Sequence, residues 1–186
     1  MKVLMTLASA VFFSGSALGA LNHAPPTFSY KDSRAVYVDF ETADYEIVYD
    51  FEKKTATVES TVTFNSPSEG YPLFDLIPNP ENVTIDARAT SAPEIQDPYK
   101  TTTFRAVNTR VSAGKHVLKL RHEISTNVVF GDDAVASGFW MSDLNDRRYL
   151  EQYLPSNFEF DQFRMKMKID VLGSPSAQVL KANGKV

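Results

Sequence analysis

Few side chains in this chain are equipped for chemistry, and their spacing limits what they can do. There are three histidines, His23, His116 and His122, and no cysteine. His116 and His122 fall in K-H-V-L-K-L-R-H-E, whose alternation predicts a strand with both imidazoles on the face of Leu118 and Leu120. Six strand residues span ~20 Å, while zinc ligands each stand about 2 Å from the metal, so these two cannot share an ion. The lack of cysteine excludes a thiol nucleophile. No H-E-x-x-H, G-x-S-x-G, P-loop or G-x-G-x-x-G pattern occurs. Acids cluster late, at Asp132, Asp133, Asp143, Asp146, Glu151, Glu159 and Asp161. A paired-carboxylate hydrolase holds two acids a fixed distance across a cleft, a distance that linear spacing does not set. Asp132-Asp133 after Gly131 reads as a solvated turn, and the alternating spacing of a calcium loop is absent. These residues give the chain no catalytic constellation and no metal ligand, and a carboxylate hydrolase complete within it is the least supported reading.

Any site must therefore rest on strands, because the chain is built of them. Tyr45, Ile47, Tyr49 and Phe51 alternate with polar neighbours, as do Ala56, Val58, Ser60, Val62 and Phe64. Glu52-Lys53-Lys54 lies between the two runs as a polar turn, so a hairpin is expected. Y-P-L-F-D-L-I-P, from Tyr71, reads as a more fully buried strand, and Val83 to Ala87 as a short one. Thr90 to Lys100 reads as loop. Thr102–Val111 and Lys115–Ile124 flank Ser112-Ala113-Gly114 as a second expected hairpin. Phe163, Met165, Met167, Ile169 and Val171 alternate with Arg164, Lys166, Lys168 and Asp170, and Gln178-Val179-Leu180 opens a further strand. No stretch after the N-terminus has a helical period. The expected fold class is all-β, an antiparallel β-sandwich or saddle-like domain with little or no helix.

The N-terminus has Lys2, an apolar run from Val3 to Phe13, then small residues at Ala17-Leu18-Gly19. This is the pattern of a signal peptide at 1–19, which makes the protein exported, periplasmic or secreted. The run is too short to span a bilayer, and no membrane span is expected. Residues 20–34, with Pro25-Pro26, read as an irregular leader, and 35–186 as one β-domain. The formal net charge is −4, and −5 once Lys2 leaves with the signal peptide. That mild acidity argues against a nucleic-acid partner. An exported chain without disulfides fits a bacterial envelope.

Several short motifs, in order, carry a family resemblance. Gly138-Phe139-Trp140-Met141-Ser142 resembles the G-F/L-Y-R-S segment of aminopeptidase N-type zinc metallopeptidases. Glu151-Gln152-Tyr153-Leu154-Pro155 resembles their T-Q-F-E-P segment. The strand Phe163–Val171 and the stretch Ala177–Gly184 are similar to the F-x-I-x-V strand and V-L-S-N-G segment that follow. The succession of strands from D-Y-E-I-V-Y-D is similar to the opening β-saddle. The resemblance covers roughly residues 35–186. It implies a non-catalytic N-terminal domain that packs on a separate catalytic domain, an intramolecular partner, and lines the cleft for a peptide substrate. Gln152 matches the glutamine that lines the pocket for the substrate's first side chain. Leu154 stands where the family's amine-binding glutamate belongs, and a leucine accepts no hydrogen bond from an ammonium group. Zinc and the general base would come from a catalytic domain after Val186, so the sequence reads as truncated, and as holding no cofactor of its own. Read this way, Arg147 to Met165 forms an edge loop whose aromatics dock the second domain while Gln152 faces the cleft. In the simpler alternative, Tyr149, Tyr153, Phe158 and Phe160 cap the sandwich core. The competing function is a stand-alone envelope β-sandwich that binds a protein or glycan through exposed aromatics between Phe139 and Phe160.

Overall fold

The computed structural model describes residues 26–96, 98, 103–138, 150–157 and 163–176. The signal peptide expected at 1–19 lies outside them. Thirteen strands run through the described residues: β1 (Phe28–Tyr30), β2 (Ser33–Tyr37), β3 (Asp39–Asp50), β4 (Thr55–Ser66), β5 (Tyr71–Phe74), β6 (Glu81–Ile85), β7 (Arg88–Ala89), β8 (Glu94–Gln96), β9 (Thr103–Ala106), β10 (Gly114–Glu123), β11 (Val128–Phe130), β12 (Val135–Ser137) and β13 (Arg164–Leu172). The one helical element among them is a single 3-10 turn, Leu150–Gln152. The expected all-β class is the observed one.

A six-stranded sheet has the order β13-β3-β4-β10-β6-β7, and a five-stranded sheet the order β1-β2-β5-β9-β8. β3 and β4 form the expected hairpin, in register from Asp50↔Thr55 to Asp39↔Asn65 with an irregularity between Phe40 and Thr42. Their alternation sends Tyr45, Ile47, Tyr49, Val58, Val62 and Phe64 into the principal core, where Leu118, Leu120 and Ile85 join them. Asp44, Glu46 and Glu59 on the other face are exposed. A smaller cluster, Ala35, Tyr37, Leu73, Phe104 and Ala106, belongs to the five-stranded sheet, with Phe28, Tyr30 and Ile95 packed against it.

Four expectations are corrected. The sheets are mixed rather than antiparallel: β13 runs parallel to β3, and β2 parallel to β5. Alternation encodes which face is buried and carries no information on strand direction. The irregular leader at 20–34 gives way to β1 and the start of β2, because Phe28 and Tyr30 find aromatic partners in Tyr37 and Tyr71. The second hairpin does not form. β9 pairs with β5 and β8, whereas β10 pairs with β4 and β6, so the chain crosses between sheets at Asn108–Ala113. The loop at 90–100 contains β8, an edge strand whose Ile95 pairs with Phe104.

Candidate functional site

The candidate site is built around Leu150–Asn157, which carries Gln152. Here β2 ends, and the chain passes through Val38 into β3 and so from one sheet to the other. β5 thereby loses its parallel neighbour. The Leu150–Asn157 segment takes the vacated place: Asp75 N–H donates to Ser156 O and Ser156 N–H to Asp75 O, each at 2.9 Å. The Asn157 side-chain amide donates to the Val38 carbonyl at the crossing itself. One step further on, Ile77 N–H donates to Glu151 O at 2.8 Å.

From the six-stranded sheet, two side chains reach across to the segment's carbonyls. Tyr45 on β3 donates its hydroxyl to Pro155 O at 2.5 Å. His122 on β10 has Nε2 at 2.6 Å from Tyr153 O. A carbonyl only accepts, so Nε2 carries the proton. Nδ1 is buried and meets no hydrogen-bond partner among the described residues, which leaves it as the lone-pair nitrogen of a neutral ring. Burial drives the His122 pKa down to about 4, against the opposing pull of the Tyr153 carbonyl. Burial likewise pushes the Tyr45 hydroxyl well above the ordinary phenol range. Both groups are thus held in their uncharged forms.

The segment itself divides into an inner and an outer part. Tyr153 and Leu154 are 1% and 0% exposed and belong to the principal core. Asn127 donates its side-chain amide to the Tyr153 hydroxyl at 2.6 Å. The 3-10 turn leaves Glu151 and Gln152 half-buried on the outer side. Tyr153 therefore caps the core rather than docking a neighbour. Leu154 faces inward, where a carboxylate in its place would lose its water without a partner. Phe139–Tyr149 and Phe158–Gln162, which hold the other aromatics considered for docking, lie outside the described residues, as does Ala177–Gly184.

Sequence reasoning missed one residue. Arg105 on β9 is only 4% exposed. Its Nε donates to Leu76 O at 2.9 Å, and one terminal nitrogen reaches Ile77 O at 2.8 Å, Pro78 O at 3.3 Å and Asn79 Oδ1 at 3.1 Å. The nearest carboxylate, from exposed Glu94, is 3.7 Å away. The signal was present: T-F-R-A-V puts an arginine within a short apolar strand.

The remaining histidine of β10 does other work. His116 Nδ1 lies 2.7 Å from Asp86 Oδ2 and Nε2 lies 3.0 Å from Ser112 O, closing the turn after β6. Partial burial pushes the Asp86 carboxyl up, but the Val117 N–H, His116 and Arg88 outweigh it and hold the group below its ordinary value. Asp132 and Asp133 form the exposed turn between β11 and β12. Among the described residues no three His, Cys, Asp or Glu side chains gather as metal ligands. The donors among the described residues do not fit a zinc site. No described helix is long and apolar enough to cross a membrane.

No protein-family model matches this chain, and no curated protein matches it in sequence. Solved structures do match in fold. Native yeast LTA4 hydrolase aligns over 73% of this chain and 23% of its own, with 12% identity and a TM-score of 0.50. Leukotriene A4 hydrolase from Saccharomyces cerevisiae gives 12% identity, 72% and 23% coverage and a TM-score of 0.49. An M1 zinc metallopeptidase from Deinococcus radiodurans gives 12%, with 73% and 33% coverage and a TM-score of 0.45. The chain thus spans about a quarter to a third of the proteins it matches. At this identity the likeness is one of fold alone, shared with about a quarter of yeast LTA4 hydrolase.

Proposed function

We propose that this chain is the non-catalytic N-terminal β-domain of an exported, zinc-dependent aminopeptidase-like peptidase. It packs on a catalytic domain and lines the substrate cleft with Gln152. The observation that carries this reading is the Glu151–Gln152 turn: it is held outward by a buried inner half, in a fold shared with LTA4 hydrolase. The Gln152 amide offers a donor and an acceptor together, which suits a peptide backbone or a polar side chain. Leu154 is turned into the core, so a free α-amine takes its partner from elsewhere in the parent enzyme. Zinc and the general base belong to the catalytic domain, and this chain contributes binding and orientation only.

The test is peptidase activity of the longest expressible reading frame containing this chain, with zinc and with a chelator, on amino-free and amino-blocked peptides. Chelator-sensitive cleavage is expected, with Gln152→Ala raising KM several-fold, as loss of one hydrogen bond of about 1 kcal/mol would. Cleavage of free peptides alone assigns amine recognition to another residue; cleavage of blocked peptides too shows a site relaxed toward endopeptidase work. Absence of chelator-sensitive cleavage overturns the proposal.

A further inference from the structure

We infer that Arg105 is a positioning residue for the Gln152 turn, acting through the Leu76–Asn79 loop without touching the substrate; the inference rests on the cleft-lining role proposed for Gln152. Burying a guanidinium is costly unless its donors are satisfied, and a salt bridge does not account for this one. Its close partners are three successive backbone carbonyls, Leu76 O, Ile77 O and Pro78 O, and the side chain of Asn79, while Glu94 stands back at 3.7 Å on the surface. An arginine can gather such a set because its donors form a rigid planar fork. Leu76-Ile77-Pro78-Asn79-Pro80 has no strand partner of its own to fix it.

The loop so fixed is the far support of the candidate site. Ile77 presents its carbonyl to Arg105 and its N–H to Glu151 O, so a single residue joins the guanidinium to the residue before Gln152. Two residues earlier, Asp75 makes the double bridge to Ser156 at the other end of the segment. His122 and Tyr45 hold the inner half from the six-stranded sheet. The outer half, with Glu151 and Gln152, leans on the loop that Arg105 shapes.

The deciding experiment is a double-mutant cycle of Arg105→Gln and Gln152→Ala in the full reading frame, read as KM and kcat for peptides. Arg105→Gln should raise KM about as much as Gln152→Ala and leave kcat nearly unchanged. In the Gln152→Ala background it should add less than twofold. If Gln152→Ala raises KM and Arg105→Gln multiplies that effect in full, the positioning role is overturned while the cleft-lining role survives. If Gln152→Ala has no effect, the cleft-lining role itself fails. Amide hydrogen exchange on the chain alone then decides whether Arg105 holds the segment: in Arg105→Gln, Ile77 and Tyr153 should exchange at least tenfold faster while β3 and β4 do not. Unchanged exchange at those amides overturns the inference. Should Arg105→Gln fail to fold, Arg105→Lys, which keeps the charge and loses the fork, gives the same two readouts.

Discussion

The β3–β4 hairpin and the Leu150–Asn157 segment lie against the same core but are held in opposite ways. The hairpin is a long backbone ladder with a period-two apolar face, and β10 and β13 extend it on both sides. No single side chain is indispensable to its shape. Among the described residues the segment's strand-like pairing is the Asp75–Ser156 bridge, and side chains add to its hold: Tyr153 and Leu154 in the core, Tyr45, His122, Asn127 and Asn157 by hydrogen bonds and, through the loop, Arg105. Regular structure spreads its stability over many equivalent bonds, so any one is dispensable. An irregular segment that must present one turn outward concentrates its stability in a few side chains. A functional loop is therefore expected to be the more fragile region.

That contrast predicts a ranking. Tyr153→Ala, which empties a fully buried aromatic position in the segment, should cost about 4 kcal/mol of unfolding free energy in urea denaturation. A loss below 1 kcal/mol would mean the segment is only loosely docked. Next comes the pH dependence. His122 has a folded pKa of about 4 against 6.5 for the free side chain, so the unfolded chain takes up its proton first. The stability tied to the neutral ring is fully present above pH 6.5 and is lost as the pH falls to about 4, by about 3 kcal/mol in all. Denaturation of wild type and His122→Asn across that window should show the slope in the first and not in the second.

Smaller effects sharpen the comparison. Tyr45→Phe removes the hydroxyl that reaches Pro155 O and should cost about 1.5 kcal/mol, with faster amide exchange in Leu150–Asn157 and none in the hairpin. Ile47→Val, at a fully buried hairpin position, should cost about 1 kcal/mol and leave exchange throughout the segment unchanged. Equal local effects from both substitutions would erase the distinction between the two regions. Smallest of all, Lys168→Ala removes exposed pairings with Asp170 and Glu46 at 2.9 and 4.0 Å. It should leave the urea midpoint unchanged, because solvent screens such pairs.

What could be read before folding follows from what alternation encodes. The buried faces of β3, β4 and β10 were legible because a period of two assigns every second side chain to the core, and β5, buried at all four positions, was legible as a short apolar run. β1 and β8 were not, since three-residue strands are too short to show a period and form only when a neighbour offers its edge. Strand direction was equally hidden: β13 is the cleanest alternating run in the chain, and nothing in it records that it would lie parallel to β3. In the candidate site, E-Q-Y-L-P singled out Gln152 by resemblance. The inward turn of Tyr153 was one of two alternatives left open and that of Leu154 was not read, because a 3-10 turn obeys no facing rule that survives its first few residues.

The sequence by itself determined an all-β chain, with its hairpin at Glu52–Lys54, its apolar faces and a shortage of catalytic side chains. Those are properties of local period and composition. Only the tertiary structure decided that His122 and Tyr45 would converge on one irregular segment, and that Arg105, from a third strand, would hold the loop beside it. The reason is physical: a buried carbonyl must find a donor, but which strand supplies it depends on where two sheets cross, and no stretch of sequence contains that distance.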